Sequence, residues 1–465
     1  MAEATEIAKL RLFLKMVAVV DVQPLAENLG LDPLPDIDFN IRCGNTLVGY
    51  ANAESIVKDH DEDMFAIHDF EENVAAEMDK VARTFKLFKH LQLKQESEHH
   101  EEFIAAKYQL RDLLTSLNDT LNHHLHNATA SGTPYEEWLN SHQPFNWIAE
   151  FYDIIHGDGG FDVIIGNPPY VEYSKRNVQY SVQAFETLKS ANLYSFVFER
   201  AFLIGCNKTA FIVQLSSVGT IGMESLQRFL IAISNVIRYG CFPERPQQLF
   251  EGACIPLSII ICDKGYDRNR RIYSAGIYRT ARDFRPYLFQ NMSSHQIDLK
   301  KYLLPQLSLL PKYKQMIEQS IFLKVLKHTP LSNQLSVAKN SNNCITYRTA
   351  GGRYWKIFLN RPFANESTSN KNKPLLTSFH KNLAVAILNS NLFWLFYVNY
   401  FDLYNLKDYM IFAFPYTPSP MFDNRLKELG KVLMSSYEQH KIENTQFIKS
   451  KQQLSIFESF NPSIS

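Results

Sequence analysis

A chain of 465 residues with 45% apolar side chains is long enough for two or three cored domains and too apolar to be disordered. Its charge is zero only in sum: residues 1–262 carry 20 Lys and Arg against 35 Asp and Glu, a net of −15, and residues 263–465 carry 28 against 13, a net of +15. The six cysteines form no CxxC pair and have no histidine at zinc spacing, and no basic-plus-apolar leader opens the chain, which reads as a cytoplasmic protein with reduced thiols.

In chain order, EATEIAKLRLFLKMVAVV sets Ile7, Leu10, Leu14 and Val17 on one helical stripe. A loop rich in Pro and Asp follows (24–38), and FNIRCGNTLVGY reads as a short strand with a turn at Gly44-Asn45. Residues 70–127 predict a helical hairpin. Val74, Met78, Val81, Phe85 and Phe88 make one stripe, Leu110, Leu113, Leu114, Leu117 and Leu121 the other, and QESEHH separates them. His99, His100, His123, His124 and His126 fall on or beside solvated helix faces without a fixed i,i+4 pair, so no metal site is expected there.

From residue 161 strands and helices alternate: FDVIIG, LYSFVFERAFLIG, TAFIVQLS, MESLQRFLIAIS and PLSIIICD. That rhythm predicts a parallel sheet with covering helices, and FDVII reads as a buried strand. After about 263 the alternation gives way to basic, aromatic and polar clusters. The apolar run 383–398 is interrupted by Asn389, Ser390 and Asn391 and falls short of the roughly 20 residues of a membrane span, so it predicts a core helix.

GNPPY follows the 161–166 strand. Ligands of open α/β sheets sit beyond the carboxyl ends of strands. Pro168 and Pro169 remove two N–H donors and leave carbonyls to accept, Asn167 adds a carboxamide oxygen, and Tyr170 adds a flat ring. Such a turn suits a planar NH₂ group. Two acceptors drawing on its protons concentrate a lone pair that is otherwise delocalised into the ring. The alternative is a rigid turn that merely ends a strand.

With these residues the chain resembles the gamma-class adenine-N6 DNA methyltransferases of the fused type IIG restriction–modification kind. PFNWIAEFYDIIHGDGGFDVIIGNPPY is the most specific stretch. The resemblance implies that Asn167 and the Pro168 carbonyl, within the catalytic Asn167–Pro168–Pro169–Tyr170 motif, hold the adenine amine while Tyr170 stacks on the base. It implies that Asn45, in CGNTLVG, binds the adenine ring of S-adenosyl-L-methionine, and that Phe250, in LFEGACIPLSIII, packs against the flipped base. The family also needs a Gly-rich loop after its first strand and an acid ending its second. Neither occurs here, and Glu3 is a poor substitute.

The expected fold is therefore α/β: a partial Rossmann-like methyltransferase sheet lacking its first two strands, with a helical-hairpin insertion and a C-terminal α+β target-recognition domain. Expected boundaries are 1–50 (remnant of the cofactor-binding half), 51–150 (helical insertion), 151–262 (catalytic half) and 263–465 (target recognition). TYRTAGGRYWKIFLNRPF interleaves Arg348, Arg353, Lys356 and Arg361 with Tyr354 and Trp355, a pattern for phosphate contact, base reading or stacking; the alternative is a hairpin whose aromatics are core. Expected partners are double-stranded DNA and a companion polypeptide carrying the missing cofactor segment. Two other readings stand beside a methyltransferase completed in this way: an inactive DNA-binding remnant, and a protein-glutamine methyltransferase, which meets the same amide NH₂ with the same motif.

Overall fold

A computed structural model describes residues 2–20, 37–58, 64–94, 100–129, 132–182, 185–244, 246, 248–250, 254–265, 270–279, 281–298, 301, 310–338, 341–349, 357–364, 367–403, 406–448 and 453–460. The chain divides into two compact units, residues 1–211 with 263–265, and residues 212–262 with 266–465.

The first unit opens with α1 (Ala2–Val17) and α2 (Ala53–Lys58), followed by the long α3 (Met64–Lys94) and α4 (His100–Thr129). The heptad-like stripes form the hairpin's seam: Val74, Met78, Val81, Phe88, Leu110, Leu114, Leu117 and Leu121 are buried in one cluster, with Phe85 and Leu113 at its margin. Short helices α5 (Tyr135–His142) and α6 (Trp147–Glu150) lead to β1 (Phe161–Gly166), α7 (Leu193–Ile204) and β2 (Gly205–Gln214). In the second unit come α8 (Ser216–Gly219), α9 (Glu224–Ile233), β3 (Ser234–Phe242), β4 (Leu257–Lys264), β5 (Arg271–Ile277) and β6 (His295–Ile297).

Strands β1 to β6 form one sheet in the order β1-β2-β4-β3-β5-β6. It is mixed, not parallel as the alternation predicts: β1 runs parallel to β2 and β3 to β5, but β6 is antiparallel to β5. Two departures explain this. NVIRYGCF, unread in the sequence, supplies β3, and β5 and β6 extend the sheet beyond 263, where the alternation is lost.

Strand β1 is not buried. It stands at the edge of the sheet with β2 as its neighbour, and Val163 and Ile165, on one face, are 57% and 76% exposed. The α1 stripe is also outward-facing, with Ile7, Leu10, Leu14 and Val17 all about half exposed. The helix and the strand form where their patterns predict, but no described residue covers these faces.

The expected strand in FNIRCGNTLVGY does not form. Its hydrogen bonds go to the segment before α6 instead: Asn45 N–H to the Gln143 carbonyl at 2.7 Å, and Phe145 N–H to the Val48 carbonyl at 2.8 Å. Gly49 adopts a left-handed φ of 105°, and a Cβ there would collide with the Phe145 carbonyl. Only the bridge Asn45–Pro144 remains of strand pairing.

The rest of the second unit is built on aromatic packing. Helix α10 (Met316–Val325), the hairpin β7 (Cys344–Arg348) with β8 (Asn370–Pro374), α11 (Lys381–Leu388), α12 (Asn391–Tyr400), α13 (Asp408–Phe412) and α14 (Pro420–His440) precede a last hairpin, β9 (Lys441–Ile448) with β10 (Gln453–Phe460). Phe322, Tyr347, Phe358, Phe396, Tyr397 and Tyr400 are fully buried together. The run 383–398 is two helices bent by 59°, not one. Asn389 turns aside to bond both the N–H and the carbonyl of Phe358, and Ser390 caps α12 through the Phe393 N–H. No single described helix is long and apolar enough to cross a membrane.

Candidate active site

Strand β1 delivers Asn167 to its carboxyl end. Asn167 and Pro169 are exposed, Pro168 is buried and Tyr170 is half-buried. The Tyr170 hydroxyl donates to Asn167 Oδ1 at 2.5 Å. Burial pushes the Tyr170 pKa up, so the phenol keeps the proton it donates. Its ring meets Tyr194 of α7 edge-on at 6.4 Å. In this state the carboxamide oxygen expected to receive a substrate amine is occupied by its own motif's tyrosine.

The loop after Tyr170 is tied down at both ends. Tyr173 N–H bonds the Ala191 carbonyl at 2.9 Å and Leu193 N–H the Val171 carbonyl at 3.0 Å. Between them, buried Glu199 of α7 accepts from the N–H groups of Glu186 and Thr187 at 2.9 and 3.0 Å and from the Thr187 hydroxyl at 2.9 Å. Burial raises the Glu199 pKa against the pull of these three donors. Next to it, buried Arg200 donates to the Leu47 carbonyl at 3.1 Å and lies 5.5 Å from the Phe185 ring. One helix thus holds the loop after the NPPY turn with one charge and the Asn45 segment with the other. Leu47 packs in the same cluster as Val178, Val182, Phe185, Leu193 and Phe196, with Val171 and Tyr173 against it.

Asn45 is engaged at its side chain. Its Oδ1 accepts from Leu47 N–H at 3.2 Å, and its carboxamide hydrogen-bonds the phenol of Tyr180, whose pKa burial pushes up. The helical insertion also reaches this segment. Asn146 accepts from Tyr50 N–H at 3.0 Å and donates to Asn118 and Asn122 of α4 at 3.1 and 2.9 Å, while the Tyr50 hydroxyl meets His124 Nδ1 at 2.7 Å. The hairpin is more than a packed seam, because its polar residues set the turn that carries Asn45. Among the described residues, no cluster of His, Cys, Asp and Glu is arranged to hold a metal.

The first unit therefore brings Asn167, Pro168, Pro169 and Tyr170 to one strand end and joins them to Asn45 through α7. Sequence reasoning missed Glu199, Arg200, Tyr180 and Asn146. One signal was available: Glu-Arg in the middle of the otherwise apolar LYSFVFERAF.

The other expected site residues belong to the second unit. Phe250 is 40% exposed, and Arg285 donates to the carbonyl of Leu249 beside it. Arg348 ends β7 opposite Asn370, and its Nε is buried without a hydrogen-bond partner among the described residues. Arg361 pairs with Glu438 of α14 and donates to the Pro362 carbonyl at 2.9 Å. Around them Tyr347 and Phe358 are core residues. Arg353, Tyr354, Trp355 and Lys356 lie outside the described residues.

Comparison with known proteins gives the following. A type II restriction enzyme and methyltransferase described from Methanocaldococcus jannaschii is 29% identical over 206 residues, covering 36% of this chain and 17% of that relative's length. Among solved structures, the type IIL restriction–modification enzyme MmeI in complex with DNA is similar over 79% of this chain and 69% of its own, at 12% identity and a TM-score of 0.37. The DrdV–DNA complex covers 72% and 51%, at 11% identity and a TM-score of 0.32. The family model of the Eco57I restriction-modification methylase matches residues 1–245, more than half of the chain. The chain belongs to the Eco57I restriction-modification methylase family.

Proposed function

We infer that this chain is the catalytic and DNA-reading part of a site-specific DNA methyltransferase that acts on the N6 amine of a flipped adenine. The observation that carries the reading is the exposed Asn167 carboxamide at the carboxyl end of β1, beside the buried Pro168. In this reading the amine replaces the Tyr170 hydroxyl on Asn167 Oδ1 and donates a second hydrogen bond to the Pro168 carbonyl. The displaced tyrosine turns its ring to the base. Two fixed acceptors favour the amine's pyramidal form, in which its lone pair is available to an electrophile.

S-adenosyl-L-methionine would supply that electrophilic methyl group. The residues present fit only part of such a cofactor. Asn45 is the candidate contact that the resemblance supplies, its carboxamide is already bonded to Leu47 and Tyr180, and the sequence shows no Gly-rich loop followed by an acid at the end of a strand. In this reading a segment outside these residues, such as a companion polypeptide, would bring the donor. The apolar faces of β1 and α1, which no described residue covers, favour such a companion. The same faces favour the second reading, an inactive remnant that binds DNA through residues 263–465. A role on DNA favours a cytoplasmic location.

Two experiments test this. Titration calorimetry of the purified chain with S-adenosyl-L-methionine should show no binding, and micromolar affinity would refute the need for a second segment. In protein reconstituted with a segment bearing the Gly-rich loop, Asn167→Ala should lower methyl transfer to DNA by on the order of 100-fold or more in kcat while leaving DNA affinity intact. Near-normal turnover in that variant would remove Asn167 from the chemistry.

A further inference from the structure

The second unit carries a cluster of exposed rings that the adenine site does not use. A 3-10 turn, Arg282–Tyr287, and the residues after it present Phe284, Tyr287 and Phe289 at 67%, 56% and 60% exposure. The turn is anchored from below. Leu288 is buried with Phe242, Ala275 and Tyr278, Phe289 meets Phe242 edge-on at 6.2 Å, and Ser293 N–H bonds the Tyr278 hydroxyl at 2.9 Å. Arg285 ties the turn to the Leu249 carbonyl, next to the part-exposed Phe250. Pro286 stiffens it further.

Three exposed rings on one anchored turn mark a contact surface for a partner with apolar faces of its own. The local charge says which kind. Residues 279–289, the turn and its approach, hold Arg279, Arg282 and Arg285 against one acid, Asp283. An anionic chain bearing flat rings is nucleic acid, and a fully paired duplex hides its ring faces in the stack. Resting on the DNA reading above, we propose that Phe284, Tyr287 and Phe289 form a stacking wedge that holds the unpaired bases of locally opened DNA, with Arg279 against the backbone.

The test uses the full chain and fluorescence anisotropy with one labelled 30-base-pair DNA, fully paired or carrying a four-base mismatched bubble. The combined variant Phe284→Ala, Tyr287→Ala and Phe289→Ala should lose about tenfold or more of its affinity for the bubble, as lost base stacking implies, and about threefold or less for the paired duplex. Phe284→Trp should keep bubble binding, because it preserves a ring face. Arg279→Gln should weaken both DNAs alike and reduce the salt dependence by about one phosphate contact. If the combined variant does not fold by circular dichroism, Phe284→Ala alone, at the most exposed ring, serves with the same readout. Equal losses on both DNAs, or none, would overturn the wedge while leaving the DNA reading intact. A wild-type chain that binds neither DNA would overturn both. Loss of self-association in sedimentation with DNA binding unchanged would make the patch a protein contact and overturn the wedge.

Discussion

Each unit buries a cation, and the two are treated in opposite ways. Arg200 in the first unit is 7% exposed and spends its guanidinium on the Leu47 carbonyl and the Phe185 ring. Lys312 in the second is 1% exposed, and its Nζ has no hydrogen-bond partner among the described residues. Burial drives the Lys312 pKa down to about 8, against the opposing pull of Cys241 and Asp402. A buried charge that makes a bond positions something; one that makes none carries its desolvation cost without that return. Arg200 sets the Asn45 turn against the loop behind the NPPY motif, so its burial has a use in the site.

That contrast is open to measurement. The largest effect is expected from Arg200→Met, which leaves the Leu47 carbonyl without its donor and should cost about 2–3 kcal/mol in chemical denaturation. Arg200→Lys should restore part of it, and hydrogen exchange of residues 45–50 should rise in the Met variant. A neutral Arg200→Met would erase the distinction between the two cations.

Glu199→Gln should cost about 1–2 kcal/mol at neutral pH, because an amide has one oxygen to accept where the carboxylate uses two. The pH dependence sharpens this. The folded pKa of Glu199 is raised above the ordinary carboxylate value, so the folded state holds its proton more tightly than the unfolded one. The stability contributed by protonated Glu199 is therefore full below the ordinary value and is lost as pH rises through the raised one. The wild-type minus Gln difference should shrink with rising pH across that window, and a flat difference would contradict it.

Lys312→Met should run the other way and stabilise the protein by about 1 kcal/mol at pH 7, since an apolar side chain needs no partner there. With a folded pKa near 8 and an ordinary value of 10.5, Lys312 penalises folding most below pH 8, and the penalty fades as pH rises toward 10.5. Cys241, whose thiol pKa burial raises against the pull of Lys312, contributes oppositely, so the double variant Lys312→Met, Cys241→Ala compared with Cys241→Ala isolates the lysine. Loss of stability in the Met variant would mean that the ammonium is bonded after all.

The smallest effect is expected at the turn itself. Tyr170→Phe removes a half-exposed hydrogen bond to Asn167 and should change stability by less than about 0.5 kcal/mol. It also frees the Asn167 oxygen while keeping the ring, so DNA methylation in the reconstituted protein should change little. A large loss would show that the hydroxyl, and not the ring face, is what the site uses.

How much of this was legible in the residues varies with the range of the interaction. The α3–α4 hairpin was readable because stripes such as Val74–Met78–Val81 and Leu110–Leu114–Leu117–Leu121 are local patterns that any apolar partner satisfies. The strand before NPPY was readable for the same reason, and the turn's proline and carboxamide chemistry travels with the residues themselves. Whether Val163 and Ile165 are covered is not local, since their pattern is the same in a central strand and at an edge. The 44–50 segment failed as a strand because strands need neighbours, and here the backbone of residues 143–148 took those hydrogen bonds.

By itself, then, the sequence determined α1, the α3–α4 hairpin, the β1–NPPY unit, the charge division and the family resemblance, all of which rest on contacts close along the chain or on residue chemistry. Only the tertiary structure decided that the sheet is mixed, that Tyr170 occupies Asn167, and that Arg200 reaches the Leu47 carbonyl 153 residues away while Glu199 beside it holds the Glu186–Thr187 turn. Pairings at such distances depend on which groups chain folding leaves unsatisfied beside one another, and no periodicity records them.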